Sequence, residues 1–328
     1  MRVCVTSAGI GLVLAMLGMP APVTAQQPAT LNTTRETTFA SGADVAAKLA
    51  KAKSDLRPGQ AMIAARLIQA APYTMDLEYR GAAPQRATFR VDRAEMVYVL
   101  EGSATMVTGG KLVNENTTNA AVRAGTAIEG GKSRHIGPGD QYFVPENTPY
   151  WFSSVDGSIT LLSLQLPRPV RPCCVYLGQL AWVPGGIKAD TTFISGADVD
   201  ALLAKVKAAR KDDQALASSP IVQLLPYTSH IEYRQMGPEA TRLLWHGSEA
   251  EIFIVIDGSA DMVTGGKLVN EMRTDGDGRR GTSAEGGMTR RLVKGDIVFV
   301  PQRTPHGFSA FYPWIVLRSL HVPRGATF

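Results

Sequence analysis

The sequence predicts a mostly β protein, two tandem β-barrels with a short helix ahead of each, and three observations carry that reading. The chain repeats itself: MVTGGKLVNE stands unchanged in FRVDRAEMVYVLEGSATMVTGGKLVNE, from Phe89, and in WHGSEAEIFIVIDGSADMVTGGKLVNE, from Trp245. Most of each copy consists of short β-branched runs of period two, bounded by Gly, Pro, Asp or Asn, which is the chemistry of strands and turns. Only the opening of each copy, TTFASGADVAAKLAKAK from Thr37 and TTFISGADVDALLAKVK from Thr191, places apolar residues at helical spacing.

The 328 residues are enough for two ordinary domains, each with its own core. Charged residues make up 19% and hydrophobic residues 45%, which argues against a disordered majority. The 34 basic and 29 acidic residues are interspersed without a Lys/Arg tract, so nucleic acid is not an expected partner.

Taken in order, residues 1–25 read as a secretory signal peptide. Arg2 precedes the apolar run AGIGLVLAMLGM, too short for a permanent span, and PAPVTA supplies small residues for cleavage after Ala25. The competing reading is an N-terminal membrane anchor. Export predicts a periplasmic or secreted protein without a permanent membrane span. A segment 26–36 then leads to the first barrel, 37–168; a Pro/Gly-rich linker, 169–190, precedes the second, 191–328. The linker holds the adjacent Cys173 and Cys174, read either as two thiols or as a vicinal or intermolecular disulfide. Ser41 with Asp44, and Ser195 with Asp198, fit capping boxes for the two helices. The run PYTMDLEYR at Pro72 returns as PYTSHIEYR at Pro226. Strands also follow in EIFIVIDGSADMVTGG, GDIVFVPQ and WIVLRSLHV.

The second copy resembles the cupin superfamily. Its first motif ends on His, Glu and Gly, and here His246, Glu251 and Gly258 are spaced by GSEA and IFIVID. Its second motif is matched by Gly295, Pro301 and His306 in GDIVFVPQRTPH, with Arg303 where the family usually has Gly and Leu244 where it has the first of two histidines. The first copy keeps Gly102, Gly139, Pro145 and Glu95, but Arg90 and Tyr150 replace the histidines and Thr88 stands at the missing one. The resemblance implies the double-stranded β-helix (jelly-roll) barrel, a bicupin pairing its barrels about an intrachain pseudo-twofold, and a metal held by His246, Glu251 and His306.

Two imidazoles and a carboxylate on one side of a metal leave positions open, so the metal can act as Lewis acid or electron donor toward a small molecule. One divalent transition metal, Fe, Mn, Zn or Ni, is the expected cofactor. The reaction, by resemblance, is a dioxygenation, decarboxylation, isomerisation or elimination, because one scaffold hosts many chemistries. The competing reading is a non-catalytic binding or structural bicupin with vestigial ligands. His230 is a possible fourth ligand, although its face, shared with Glu232 and Arg234, also reads as solvated. Arg290 and His321 are possible substrate contacts, His321 pointing either into the cavity or to water. His135 reads as a surface residue. MVTGGKLVNE, EGGKSR and EGGMTR occur in both copies, which favours a folding or packing role.

Overall fold

A computed structural model describes residues 37–167, 192–274 and 276–323. The expected signal peptide, its cleavage point, and Cys173 and Cys174 lie outside the described residues. Among these residues there are two large antiparallel sheets of ten strands each, with two fourteen-residue helices, Gly42–Asp55 and Gly196–Ala209. No helix among them is long and apolar enough to cross a membrane.

Each sheet is built on one long hairpin. Arg93–Thr108 pairs with Tyr150–Pro167 in the first barrel, and Glu249–Thr264 pairs with His306–Pro323 in the second. Strands of 16 and 18 residues must bend to wrap a barrel, and the bends fall at register shifts around Gly102 and Gly258. Both glycines have positive φ, +77° and +72°, and a Cβ would come within 2.0 Å of the Ser158 carbonyl oxygen or 2.2 Å of that of Trp314. The glycine seven residues after each glutamate is therefore a steric requirement of the barrel, whatever the barrel binds.

The unchanged decapeptide has the same kind of explanation. Lys111–Val113 pairs with Ala127–Glu129, and Lys267–Val269 with Ser283–Glu285, each as a two-stranded ribbon. Gly110 and Gly266 sit at φ +74° and +77°, where a Cβ would lie 2.2 Å and 2.4 Å from the Glu129 and Glu285 carbonyl oxygens. Repeated loops thus serve folding, as their presence in both copies suggested.

The helices start at the expected caps, and only the first completes its capping box, the Ser41 amide donating back to Asp44 Oδ2 at 3.1 Å. The Ser41 hydroxyl accepts from the Asp44 amide at 3.0 Å, and the Ser195 hydroxyl from the Asp198 amide at 3.1 Å. Their partners differ from the sequence division into units. Phe39–Ala40 pairs with Ile297–Val300 in the second barrel, and Phe193–Ile194 pairs with Gln141–Val144 in the first. The first helix donates its Gly42 amide to Asp296 at 2.8 Å, and the second its Gly196 amide to Asp140 at 2.8 Å. Each unit lends its opening strand and helix start to the other barrel, because a two-residue strand finds its backbone partners on the neighbouring sheet edge.

The exchange continues through the side chains. Tyr227 Oη donates to the Pro167 carbonyl at 2.7 Å, and Tyr73 Oη donates to that of Pro323. Arg134 stacks on Phe193 at 3.7 Å and Arg290 on Phe39 at 3.6 Å, a cation over the aromatic ring of each borrowed strand. One apolar cluster joins the two barrels through residues such as Met75, Leu77, Leu164, Ile231, Ile252 and Val316, while separate cores around Phe152 and Phe308 fill each interior. Pairing of the barrels within one chain, with equivalent contacts in both directions, is thereby built from the duplicated sequence itself.

Candidate metal centre in the second barrel

Strand register brings the site together. Glu251 lies directly opposite His321 across the central hairpin, and Leu244 lies opposite His306. Glu249 and Glu251, two apart on one strand, share a face. Glu251 and His306 are each 4% exposed, while the His246 and His321 side chains keep 27% and 26%, so the open side of the cluster is theirs.

Three imidazoles surround the Glu251 carboxylate. His306 Nε2 is 3.0 Å and His246 Nε2 is 3.7 Å from Oε2, and His321 Nε2 is 3.4 Å from Oε1. Ligand atoms of His246, Glu251 and His321 lie within 4.8 Å of one another, a spacing that one cation can bridge. The His306 Nδ1 sits 2.9 Å from the Thr304 carbonyl, which only accepts, so Nδ1 carries the hydrogen. Nε2 then faces the carboxylate, and fixing the ring through Nδ1 is how a metal-binding histidine is held.

Glu249 lies on the far side of the other two rings: its Oε1 is 3.5 Å from His321 Nδ1 and 3.8 Å from His246 Nδ1, a negative charge behind the two imidazoles whose Nε2 atoms face Glu251. Burial alone would push Glu251 up, but the charge of His321 and the hydrogen bonds from His246 and His306 hold it well below the usual carboxylate range. Burial likewise opposes protonation of His321, yet Glu251 and Glu249 outweigh it and hold its pKa at about 9. The cluster concentrates negative charge that a proton or a cation must balance. The donor set, imidazoles and carboxylate with an exposed side, fits a divalent transition metal.

The sequence-derived residues divide accordingly. His246, Glu251 and His306 converge. His321, left between cavity and solvent, belongs to the cluster. His230 lies beside it, its ring 6.0 Å from that of His321, and burial with the nearby His321 charge lowers its pKa. The face it shares with Glu232 faces inward, contrary to a solvated reading: Glu232 is 4% exposed and accepts from Ser319 Oγ at 2.5 Å and from Arg234 at 2.7 Å. Arg290 is held on Phe39, with Arg134 in the same role in the first barrel, so its position is that of a packing residue. His135 is exposed, 3.8 Å from Asp156. Glu249 was missed by the motif, although its counterpart in the first copy is Arg93, a charge reversal visible in the sequence.

The first barrel fills the equivalent space differently. Tyr150 Oη donates to Glu95 at 2.9 Å, Ser163 Oγ donates to the other carboxylate oxygen, and Gln165 reaches Ser163 at 3.2 Å. Burial, with the charge of Glu78, pushes Glu95 up despite these bonds, and burial and Glu95 push the Tyr150 phenol up as well. With a phenol and a serine hydroxyl in place of imidazoles, the space around Glu95 offers no second strong metal ligand.

No family model matches the chain, and no curated protein matches its sequence. Solved structures do match. A salicylate 1,2-dioxygenase mutant from Pseudoaminobacter salicylatoxidans superimposes with a TM-score of 0.54 at 12% identity, covering 87% of this chain and 84% of that one. Another mutant of the same enzyme, in complex with gentisate, gives 0.52 at 12% identity over 92% and 84%. A cupin 2 conserved barrel domain protein from Leptotrichia buccalis gives 0.43 at 11% identity over 80% and 89%. At such identities the likeness to the dioxygenase structures is one of architecture, and with the two ten-stranded antiparallel sheets it shows that the chain has the two-barrel cupin fold.

Proposed function

We propose that the second barrel binds one divalent transition metal, Fe, Mn, Zn or Ni, through His246, Glu251 and His306, with His321 taking the place that Leu244 leaves empty. The observation that carries this reading is the convergence of the imidazoles on the buried Glu251, with their far nitrogens facing Glu249 and the Thr304 carbonyl. When bound, such a metal supplies Lewis-acid or redox chemistry to a small molecule entering from the His246 and His321 side. The protein is accordingly an exported, metal-dependent bicupin enzyme of small-molecule metabolism, its substrate and reaction type open.

The test is elemental analysis of chelator-free, untagged protein after reconstitution, beside His306→Ala and His321→Gln, the latter installing the first barrel's residue. Close to one metal per chain in wild type and its loss in both variants supports the site. Metal retained by His321→Gln removes His321 from the ligand set. An empty wild type sinks the metal reading. It would favour the second one, a non-catalytic bicupin with relic ligands, which Leu244 in place of the first motif histidine supports.

A further inference from the structure

A cleft of about 310 Å³ opens on the surface of the second barrel, lined by Trp245, Gly247, Arg273, Asp277, Arg279 and Arg303. Neither His246, Glu251, His306 nor His321 lines it. It is close to the metal cluster through the backbone alone: Trp245 and Gly247 flank His246 in sequence, and the Arg303 amide donates to the His246 carbonyl at 2.7 Å. Its walls carry three guanidiniums and one carboxylate.

All three arginines stand at positions that carry a cost. Arg273 and Arg279 are direct partners on neighbouring strands, a like-charge pair that destabilises a sheet. Arg303 adopts φ 60°, a left-handed conformation that asparagine tolerates far better than arginine. The first barrel avoids both: Thr117 faces Arg123, and Asn147 holds the left-handed position at φ 58°. It also has Phe89 where Trp245 stands and Ala121 where Asp277 stands. Among the described residues Arg279 pairs with Glu271 at 3.4 Å, while no ion pair involves Arg273 or Arg303. Arg279 also lies over the Trp245 ring at 5.5 Å, so a flat apolar surface and the cations share one wall.

We propose that this cleft binds a small organic anion, its carboxylate or phosphoryl group taken by Arg273 and Arg303 and its body laid against Trp245. Guanidinium forks match both oxyanions, and a bound anion would offset the positive charge of Arg273 and Arg303, neither of which has an ion pair among the described residues. The cleft's volume is at the lower end for small-molecule sites, which sets the ligand's size. The site stands apart from the metal cluster and does not rest on it.

Titration calorimetry with benzoate, phenyl phosphate, benzamide and inorganic phosphate, on metal-free and metal-loaded full-length protein, tests the proposal. Benzoate or phenyl phosphate binds, and which of them binds tighter distinguishes the two anion sources; benzamide and inorganic phosphate bind far more weakly. The double variant Arg273→Thr, Arg303→Asn carries the residues that the first barrel uses at those positions, and it weakens binding by about tenfold or more. Trp245→Phe, also the first barrel's choice, removes the fluorescence change on binding. The proposal is overturned if neither organic anion binds, if benzamide or inorganic phosphate binds as tightly, or if the double variant binds unchanged. Binding in the metal-free protein separates this outcome from that of the metal centre.

Discussion

Glu95 and Glu251 occupy the same place on the same strand of two copies of one barrel, each 4% exposed, and their acidities move in opposite directions. Around Glu251 stand three imidazoles; around Glu95 stand a phenol, a serine hydroxyl and, one step further, a glutamine amide. Burial raises the cost of charge equally in both. The neighbours decide the direction: the charge of His321 with the His246 and His306 contacts outweighs burial at Glu251, whereas hydroxyl hydrogen bonds do not outweigh it at Glu95. The two copies thus keep a buried carboxylate at the same position in different surroundings, with Arg90, Tyr150 and Gln165 standing where the second has His246, His306 and His321.

The comparison breaks most sharply at the glutamates themselves. Glu251→Gln is expected to take metal content from about one per chain to none, whereas Glu95→Gln leaves it unchanged, as elemental analysis will show. Installing histidine alone at Tyr150 should add no second metal, since Arg90 and Gln165 remain.

Next in size are the barrel cores. Phe152→Ala and Phe308→Ala each remove a fully buried ring and should cost about 3–5 kcal/mol in denaturant unfolding. Because Phe308 packs edge-on to Phe253, whose ring lies 6.1 Å from that of His306, only the second substitution should also weaken metal retention. Equal effects of both on metal content would mean that the barrels do not act separately.

Smaller effects are expected where the barrels hold each other. Asp296 accepts from the Gly42 and Val293 amides, and Asp140 from those of Gly196 and Gly137. Asp296→Ala and Asp140→Ala should each cost roughly 1–3 kcal/mol, with the double variant additive if the two exchanges are independent.

The smallest effect concerns pH. Glu95 has its acidity weakened by folding, so the folded chain takes up a proton there. Its contribution is fully present below the unfolded glutamate value and is lost as pH rises through the folded one. Glu95→Gln should therefore match wild type in acid and melt higher near neutrality. A lower melting temperature at neutral pH would mean that folding does not raise the Glu95 pKa.

Much of this was legible because repetition works as an internal control. The glycines at 102 and 258 announce a bend wherever they occur, and the spacing from His246 to Glu251 and the motif around His306 pick out three residues that the fold brings together. What stayed hidden depends on pairing across long sequence separation. His321 faces Glu251 only through the register of two strands some 70 residues apart, and nothing local distinguishes the inward from the outward face of WIVLRSLHV. His230 and Glu232 look solvated for the same reason, since polar alternation marks an inner face as readily as an outer one when the interior is polar. The exchanged strands Phe39–Ala40 and Phe193–Ile194 are too short to carry a periodicity at all.

That exchange also sets a clock. The Gly42 amide and its Asp296 acceptor are 254 residues apart, and at the 5–20 residues per second of synthesis the first helix waits roughly 13–50 s for its cap to exist. During that interval the first barrel's own sheet edge also awaits Phe193–Ile194, so an early-made half has an unpaired edge exposed to other chains. The order of emergence, as much as the finished contacts, makes the two halves one cooperative object, and a nascent chain halted before Asp296 has no complete second barrel to fold.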